Sequence, residues 1–341
     1  MKIIVDAMGG DNAPDAIVEG ALIAAKTHGV EILLVGRTED VLRSLQKLGK
    51  NELPPGIEIL SASETIEMHD DPLTAIREKK DSSMVVALEQ LRDGAGDALV
   101  SAGSTGALLS GATLIVKRVR GIRRAALAPF LPSASGGFVI IDCGANVECT
   151  PEYLLQFAYM GSYYAESALD IANPRVALLN NGTESTKGTP LQLETYTLLQ
   201  KAAAEGAINF TGNVEGSGTL TGGCDIVVCD GFSGNILLKT IEGAASFIMS
   251  EFKGVFYKNA VTKVSARLVQ NGLRKLKNKL NADAIGGTIM LGISKPVVKA
   301  HGSSGANAIS GAILQAKCAA EAKVAEKLHE NVARMKISAE L

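Results

Sequence analysis

Lys2-Ile-Ile-Val-Asp-Ala-Met-Gly-Gly-Asp-Asn-Ala-Pro14 is the stretch that decides the fold of this 341-residue chain. The apolar run Lys2–Val5 reads as a short strand, the glycine-bearing stretch after it as a loop, and Pro14 as the start of a helix reaching about Ala25. Proline suits an early helical position because its missing N–H would go unpaired there anyway. The same strand–loop–helix order recurs down the chain. Glu31–Val35 ends in Gly36, and Pro54-Pro55-Gly56 turns into Ile57–Leu60. Ala98–Ser101 runs into Ala102-Gly-Ser-Thr-Gly106 and a helix through about Val116. Val139–Asp142 precedes Cys143-Gly-Ala-Asn146, with a helix from near Pro151. Val176–Leu179, Ile226–Cys229 and Val297–Lys299 each lead into another polar, glycine-containing loop. Strand alternating with helix predicts right-handed βαβ units, and hence an α/β fold with a mainly parallel sheet. No strand is expected before Gly216-Ser-Gly-Thr-Leu-Thr-Gly222.

Composition agrees with that class. Hydrophobic residues make up 46% of the chain, mostly Ala, Val, Ile and Leu, with 36 glycines and no Trp. Such a mix suits strands buried on both faces. No Pro- or Ser-rich linker divides the chain, so residues 1–341 are expected to form one unit of two lobes around one cleft. The formal charge of −2 gives no reason to expect nucleic acid as partner. Five cysteines, none in a CxxC pair, fit neither a disulfide framework nor a zinc site. An acidic residue, Asp6, comes too early for a signal peptide, and no apolar run approaches a membrane span of about 20 residues. A cytoplasmic protein is expected, with no metal or organic cofactor required.

The glycine loops carry the chemical signal. At the carboxyl ends of parallel strands, backbone N–H groups and helix N-termini favour anions. Any one such loop is most simply a turn; five that also bear Asn146, Lys187, Asn235 and His301 point to phosphate. There is no GxxxxGK[ST], no GxGxxG after a strand, no HExxH and no GxSxG. Without an evident protein nucleophile, bound phosphate could itself attack an electrophile while the protein supplies orientation and charge.

A different pattern occupies residues 253–280. Eight cations, from Lys253 to Lys279, fall between Glu251 and Asp283 with no acid among them, and leucines and valines recur every three to five residues. This is a basic amphipathic helical segment. Its Lys263, Arg267, Leu268, Arg274 and Lys275 are candidates for contact with anionic lipid or with an acidic protein.

Taken in order, Asp6-Ala-Met-Gly-Gly-Asp11, Arg77-Glu-Lys-Lys-Asp-Ser-Ser83, Ser101-Ala-Gly-Ser-Thr-Gly-Ala107 and Gly144-Ala-Asn146 resemble the bacterial phosphate acyltransferase (PlsX) family. So do Leu178-Leu-Asn-Asn-Gly-Thr-Glu184 with Lys187-Gly188, Asp230-Gly-Phe-Ser-Gly-Asn235 and Lys299-Ala-His-Gly-Ser-Ser304. The chain departs from that pattern at Ser104, where the family usually has Asn, and at Ala125, where it has Pro. The resemblance implies a two-lobed fold like those of isopropylmalate dehydrogenase and phosphotransacetylases. It implies reversible transfer of a fatty acyl group from acyl carrier protein to inorganic phosphate, giving acyl phosphate for phospholipid synthesis. It also implies a homodimer and peripheral membrane attachment. On it, Lys187 would neutralise phosphate or the thioester oxyanion, Asn235 would donate to either, and His301 would bind phosphate or move a proton. Asp6, Gly9, Gly10, Gly103, Ser104, Thr105, Asn146, Gly234, Ser303 and Ser304 would bind phosphate or substrate. The alternatives are a nicotinamide-dependent hydroxyacid dehydrogenase on the same fold and a non-catalytic membrane-surface scaffold for carrier protein.

Overall fold

The computed structural model describes residues 1–256, 265, 267, 269–272 and 286–335. Its first half alternates strand and helix: β1 (Lys2–Asp6), α1 (Asp15–His28), β2 (Glu31–Gly36), α2 (Thr38–Lys47), β3 (Ile57–Ser61), α3 (Pro72–Glu78), α4 (Ser83–Asp93), β4 (Ala98–Ser101) and α5 (Thr105–Gly111). A turn of π-helix, Ala112–Val116, continues α5. Next come β5 (Ala126–Ser133), β6 (Gly136–Ile141), α6 (Pro151–Ala168), β7 (Arg175–Leu179), α7 (Pro190–Ala204), β8 (Asn209–Val214), α8 (Gly216–Leu220), β9 (Ile226–Val228) and α9 (Gly231–Phe256). Then follow β10 (Thr288–Leu291), β11 (Val297–Lys299), α10 (Ala306–Glu321) and α11 (Val324–Asn331).

Among the described residues the strands make one sheet, ordered β3-β2-β1-β4-β11-β10-β5-β6-β9-β7-β8. Most neighbours are parallel, as alternation predicts; the exceptions are β11/β10, β10/β5 and β5/β6. Three successive antiparallel pairings reverse the strand direction between the two halves. Alternate residues enter opposite faces. Ile3, Val5, Ile32 and Leu34 pack with Ile17 of α1, Phe157 of α6 and Ile309 of α10. Ile4, Leu33, Val35 and Leu99 pack with Ile76 of α3, Leu88 of α4 and Leu108 of α5. The sheet is thus covered on both sides, which explains its near-continuous apolar strands.

The unexpected strand β8 precedes Gly216, pairing in parallel with β7 at the sheet edge. Its Asn209, Thr211, Gly212 and Asn213 conceal it from an apolar-run criterion. The distal part of α9 leaves large apolar side chains uncovered, with Phe247 at 65% and Val255 at 62% exposure. Of the basic segment's candidates, Lys263, Leu268, Arg274 and Lys275 lie outside the described residues; Arg267 is helical and exposed. Among the described residues no helix is long and apolar enough to cross a membrane.

Candidate active site

Three loops of the first half are tied together around a buried carboxylate. Asp6 closes β1 at 1% exposure. Its Oδ2 accepts the Ser101 hydroxyl at 2.6 Å and its Oδ1 the Met8 N–H at 3.3 Å. Burial raises its carboxyl above the usual range, opposed by hydrogen bonds from Ser101, Ser83, Met8 and Gly9. Gly9 has no room for a side chain: a Cβ there would lie 2.6 Å from Asp6 Oδ2 and 2.7 Å from Gly103 N. The Asp11 N–H donates to Gly302 O at 2.8 Å, and Asn12 Nδ2 donates to Ser303 O at 3.0 Å. Asp6, Gly9, Gly10 and Gly103 therefore act as the frame of this loop cluster. Ser104 is also buried, capping α5 by accepting from Ala107 N. Of the frame's loops, Asp11, Thr105, His301 and Gly302 line the cleft. The Ser303 N–H donates to His301 Nδ1 at 3.3 Å. Because a backbone N–H can only donate, the neutral ring carries its proton on Nε2. Ser304 is buried behind the same turn, its N–H bonded to His301 O at 3.0 Å.

A second carboxylate frames the other half. Asp142, just past β6, is fully buried. Its Oδ1 accepts from the N–H groups of Leu127 at 2.8 Å and Cys143 at 2.6 Å. Its Oδ2 accepts from Asn146 N at 2.6 Å and Asn146 Nδ2 at 3.0 Å. Asn146 spends its other amide hydrogen on Ala125 O, 2.8 Å away, so its side chain fastens the loop to β5. Against this loop sits the start of α9, capped by Asp230, whose Oδ1 accepts Ser233 N at 2.8 Å. Gly231 and Gly234 let the helix pack directly on backbone: a Cβ on Gly231 would lie 2.7 Å from Asn146 O, and one on Gly234 would fall on Asp142 O. That close seat aims one face of α9 inward, with Asn235, Leu238, Lys239 and Glu242 all lining the cleft. The spacing i, i+3, i+4, i+7 is that of a single helix face. Lys239 and Glu242 pair at 2.7 Å.

Between the frames lies a cleft of about 460 Å³. Leu127, Pro129 and Leu131, on one face of β5, form its floor, with Phe130 at the side. Thr288, two strands' width from Pro129 to Lys299, is in register with both. Lys299 lines the cleft at only 8% exposure. Its Nζ donates to Ala102 O at 3.3 Å and to Ala300 O. Burial lowers its pKa to about 8, opposed by the charges of Asp6 and Asp11 and helped by Lys239. Two carbonyls occupy two of its three N–H donors, which leaves one for an anion. Cys143 also reaches the cleft, but burial and then Asp142 hold its thiol up at about 12, far from a thiolate nucleophile.

The cleft thus gathers Thr105, Asn235 and His301, while Asp6, Gly9, Gly10, Gly103, Ser104, Asn146, Gly234 and Ser304 stand behind it as framework. Lys187 is not among the residues lining this cleft. It is exposed on the loop after β7, and its neighbour Gly188 lines a second, shallower cavity of about 570 Å³ with Asn180, Gln192 and Ile236. The structure adds Lys299, Lys239 and Glu242 to the cleft lining and Asp142 to its frame. Lys299 had a signal, standing two residues before His301 at the end of a strand; Lys239 had one too, four residues beyond Asn235 on a helix. Among the described residues no group of three or more His, Cys, Asp or Glu could hold a metal ion.

Comparison with known proteins extends these observations. Residues 1–327 match the model of a family described as fatty acid synthesis protein. The chain is 45% identical over 335 residues to a phosphate acyltransferase of Alkaliphilus oremlandii (strain OhILAs), covering 98% of each. It is 45% identical over 319 residues to that of Bacillus cereus (strain AH820), covering 93% of this chain and 94% of the relative. In structure it is similar to a phosphotransacetylase from Streptococcus pyogenes, at TM-score 0.64 and 21% identity over 94% of both chains. A branched-chain phosphotransacylase from Enterococcus faecalis V583 matches at TM-score 0.56 and 15% identity, over 94% of this chain and 99% of that one. At such identities the two structures speak for the fold.

Proposed function

Because this chain belongs to the fatty acid synthesis protein family and is an acyltransferase, we propose that it moves a fatty acyl group reversibly from acyl carrier protein to inorganic phosphate, giving acyl phosphate for phospholipid synthesis. The observation that carries this proposal is Lys299, a nearly buried cation beside His301 in a cleft floored by apolar side chains. An anion is the natural partner for such a group. The apolar floor of Leu127, Pro129 and Leu131 suits an acyl chain.

In this mechanism phosphate sits against Lys299 and the Nε2–H of His301, with Thr105 within the same cleft. A phosphate oxygen attacks the thioester carbonyl carbon, forming a C–O bond while the carbonyl electron pair moves onto oxygen. The Asn235 amide donates to that oxyanion. Collapse breaks the C–S bond, and the proton of hydrogen phosphate ends on the departing sulfur. Positioning and charge stabilisation supply the rate, and no covalent enzyme intermediate is needed. The cation role expected of Lys187 passes to Lys299, since Lys187 flanks the other cavity. Homodimer formation and peripheral attachment to lipid belong to the same proposal. The exposed Phe247, Ile248, Phe252 and Val255 of α9, continued by a basic stretch of sequence, support them.

The test is phosphate-dependent release of free thiol from palmitoyl-acyl carrier protein, with products identified by mass. Stoichiometric thiol and palmitoyl phosphate are expected. Lys299→Met should lose at least about 100-fold in turnover, and Lys187→Ala less than about tenfold. The opposite ranking would return the cation role to Lys187, and no thiol release at all would sink the reaction.

A further inference from the structure

One strongly charged patch lies outside this mechanism. No acidic residue occurs between Asp97 and Asp142, yet Lys117, Arg118, Arg120, Arg123 and Arg124 crowd into eight positions of a chain whose formal charge is −2. All five are exposed, and none forms an ion pair among the described residues. The backbone that carries them is fastened in place. Lys117 O accepts from Ser294 N at 2.9 Å and Val119 N donates to Gly292 O at 2.9 Å, locking the loop to the stretch after β10. Arg124 lies over the Tyr153 ring, 5.5 Å from its centroid.

Beside these cations runs a groove of about 230 Å³, lined by Leu73, Leu109, Leu114, Arg118, Arg124 and Asn146. Leu73 and Leu114 are 50% and 49% exposed, and Val147, next to Asn146, is 63% exposed. The groove adjoins the cleft through two elements. Helix α5 starts at Thr105 in the cleft and reaches Leu109 in the groove, and the loop that offers Gly144 to the cleft offers Asn146 to the groove.

We propose that this arginine-rimmed groove docks the acyl carrier protein, receiving an acidic helix whose prosthetic arm then enters the neighbouring cleft; the inference rests on the reaction proposed above. An amphipathic helix laid in an apolar groove supplies contact area, and complementary charge at the rim sets encounter rate and orientation. A concave apolar surface with basic edges fits a helix better than the flat face of a bilayer. In sequence it is separate from the basic stretch that follows α9.

The test separates docking from chemistry. Titration of acyl carrier protein into the full chain should give a Kd raised at least about tenfold in Arg118→Glu and in Leu114→Glu, with a flatter salt dependence in the former. Phosphate-dependent thiol release from a small palmitoyl thioester without the carrier should stay within about twofold of wild type in both variants. Equal carrier binding by wild type and variants, or none by wild type, overturns the docking surface. So does a loss confined to sedimentation with phosphatidylglycerol vesicles, which would give the arginines to lipid. Carrier binding that depends on Arg118 while no thioester turns over would uphold the docking surface and sink the proposed reaction.

Discussion

Lys299 gives up its proton near pH 8 in the folded chain, against 10.5 for an ordinary lysine. Between those values the unfolded chain binds the extra proton, so stability rises with pH across that window. Below it, the buried cation costs about 3 kcal/mol. Removing the charge should therefore spare the fold: Lys299→Met is expected to melt no lower than wild type at pH 7 while losing turnover. In wild type the KM for phosphate should climb from pH 8 to pH 9 as the ammonium titrates. In Lys299→Arg, whose guanidinium stays charged, it should stay flat. A wild-type KM unchanged across that range would exclude Lys299 as the phosphate cation. The sequence displayed His301 and Asn235 because polar residues in glycine loops stand out. Of Lys299 it displays only the polar end of a strand two residues before His301; pairing with β4 and β10 is what buries it.

At the scale of elements, α9 positions half of the cleft, and its seat depends on Gly234. A methyl group there would collide with the Asp142 carbonyl, which a buried network holds in place. The helix start would have to move, carrying Asn235 and Lys239 with it. Gly234→Ala should cost about 1–3 kcal/mol in denaturant unfolding and lower kcat. Phe232→Ala, at an outward position 60% exposed, is the control and should change neither. A Gly234→Ala enzyme with wild-type kcat would show that the seat of α9 does not matter. Strand–glycine–helix units could be read directly, since each announces its own boundaries. β5 and β10 could not. β5 carries Pro129 and Pro132, which argue against a central strand, and β10 is four residues between glycine turns. Only their partners make them strands.

For the whole molecule, an alternating pattern predicts one crevice at the carboxyl ends of one parallel sheet. The class is right, but the reversal at β11, β10 and β5 divides the loops into two sets that meet over the floor of β5. Bound phosphate should then quiet both sets together. Amide exchange should slow over 102–105 and 300–304 and also over 143–146 and 231–236, and Lys299→Met should abolish both effects. Protection of one set alone would mean that phosphate does not bridge them. Sequence could not reveal this division, because strand order depends on pairings between residues up to two hundred positions apart.

The position of β11, between β4 and β10, also bears on how the protein is made. While the ribosome is still short of Thr288, β4 and β5 each have one flank with no neighbour. From the completion of β5 at Ser133 until Thr288 the nascent chain carries two open sheet edges, and such edges template wrong pairings. A hairpin of a dozen residues, Thr288 to Lys299, closes both at once and delivers Lys299 in the same act. Completion of the candidate site and closure of the two inner sheet edges are therefore one event, late in translation.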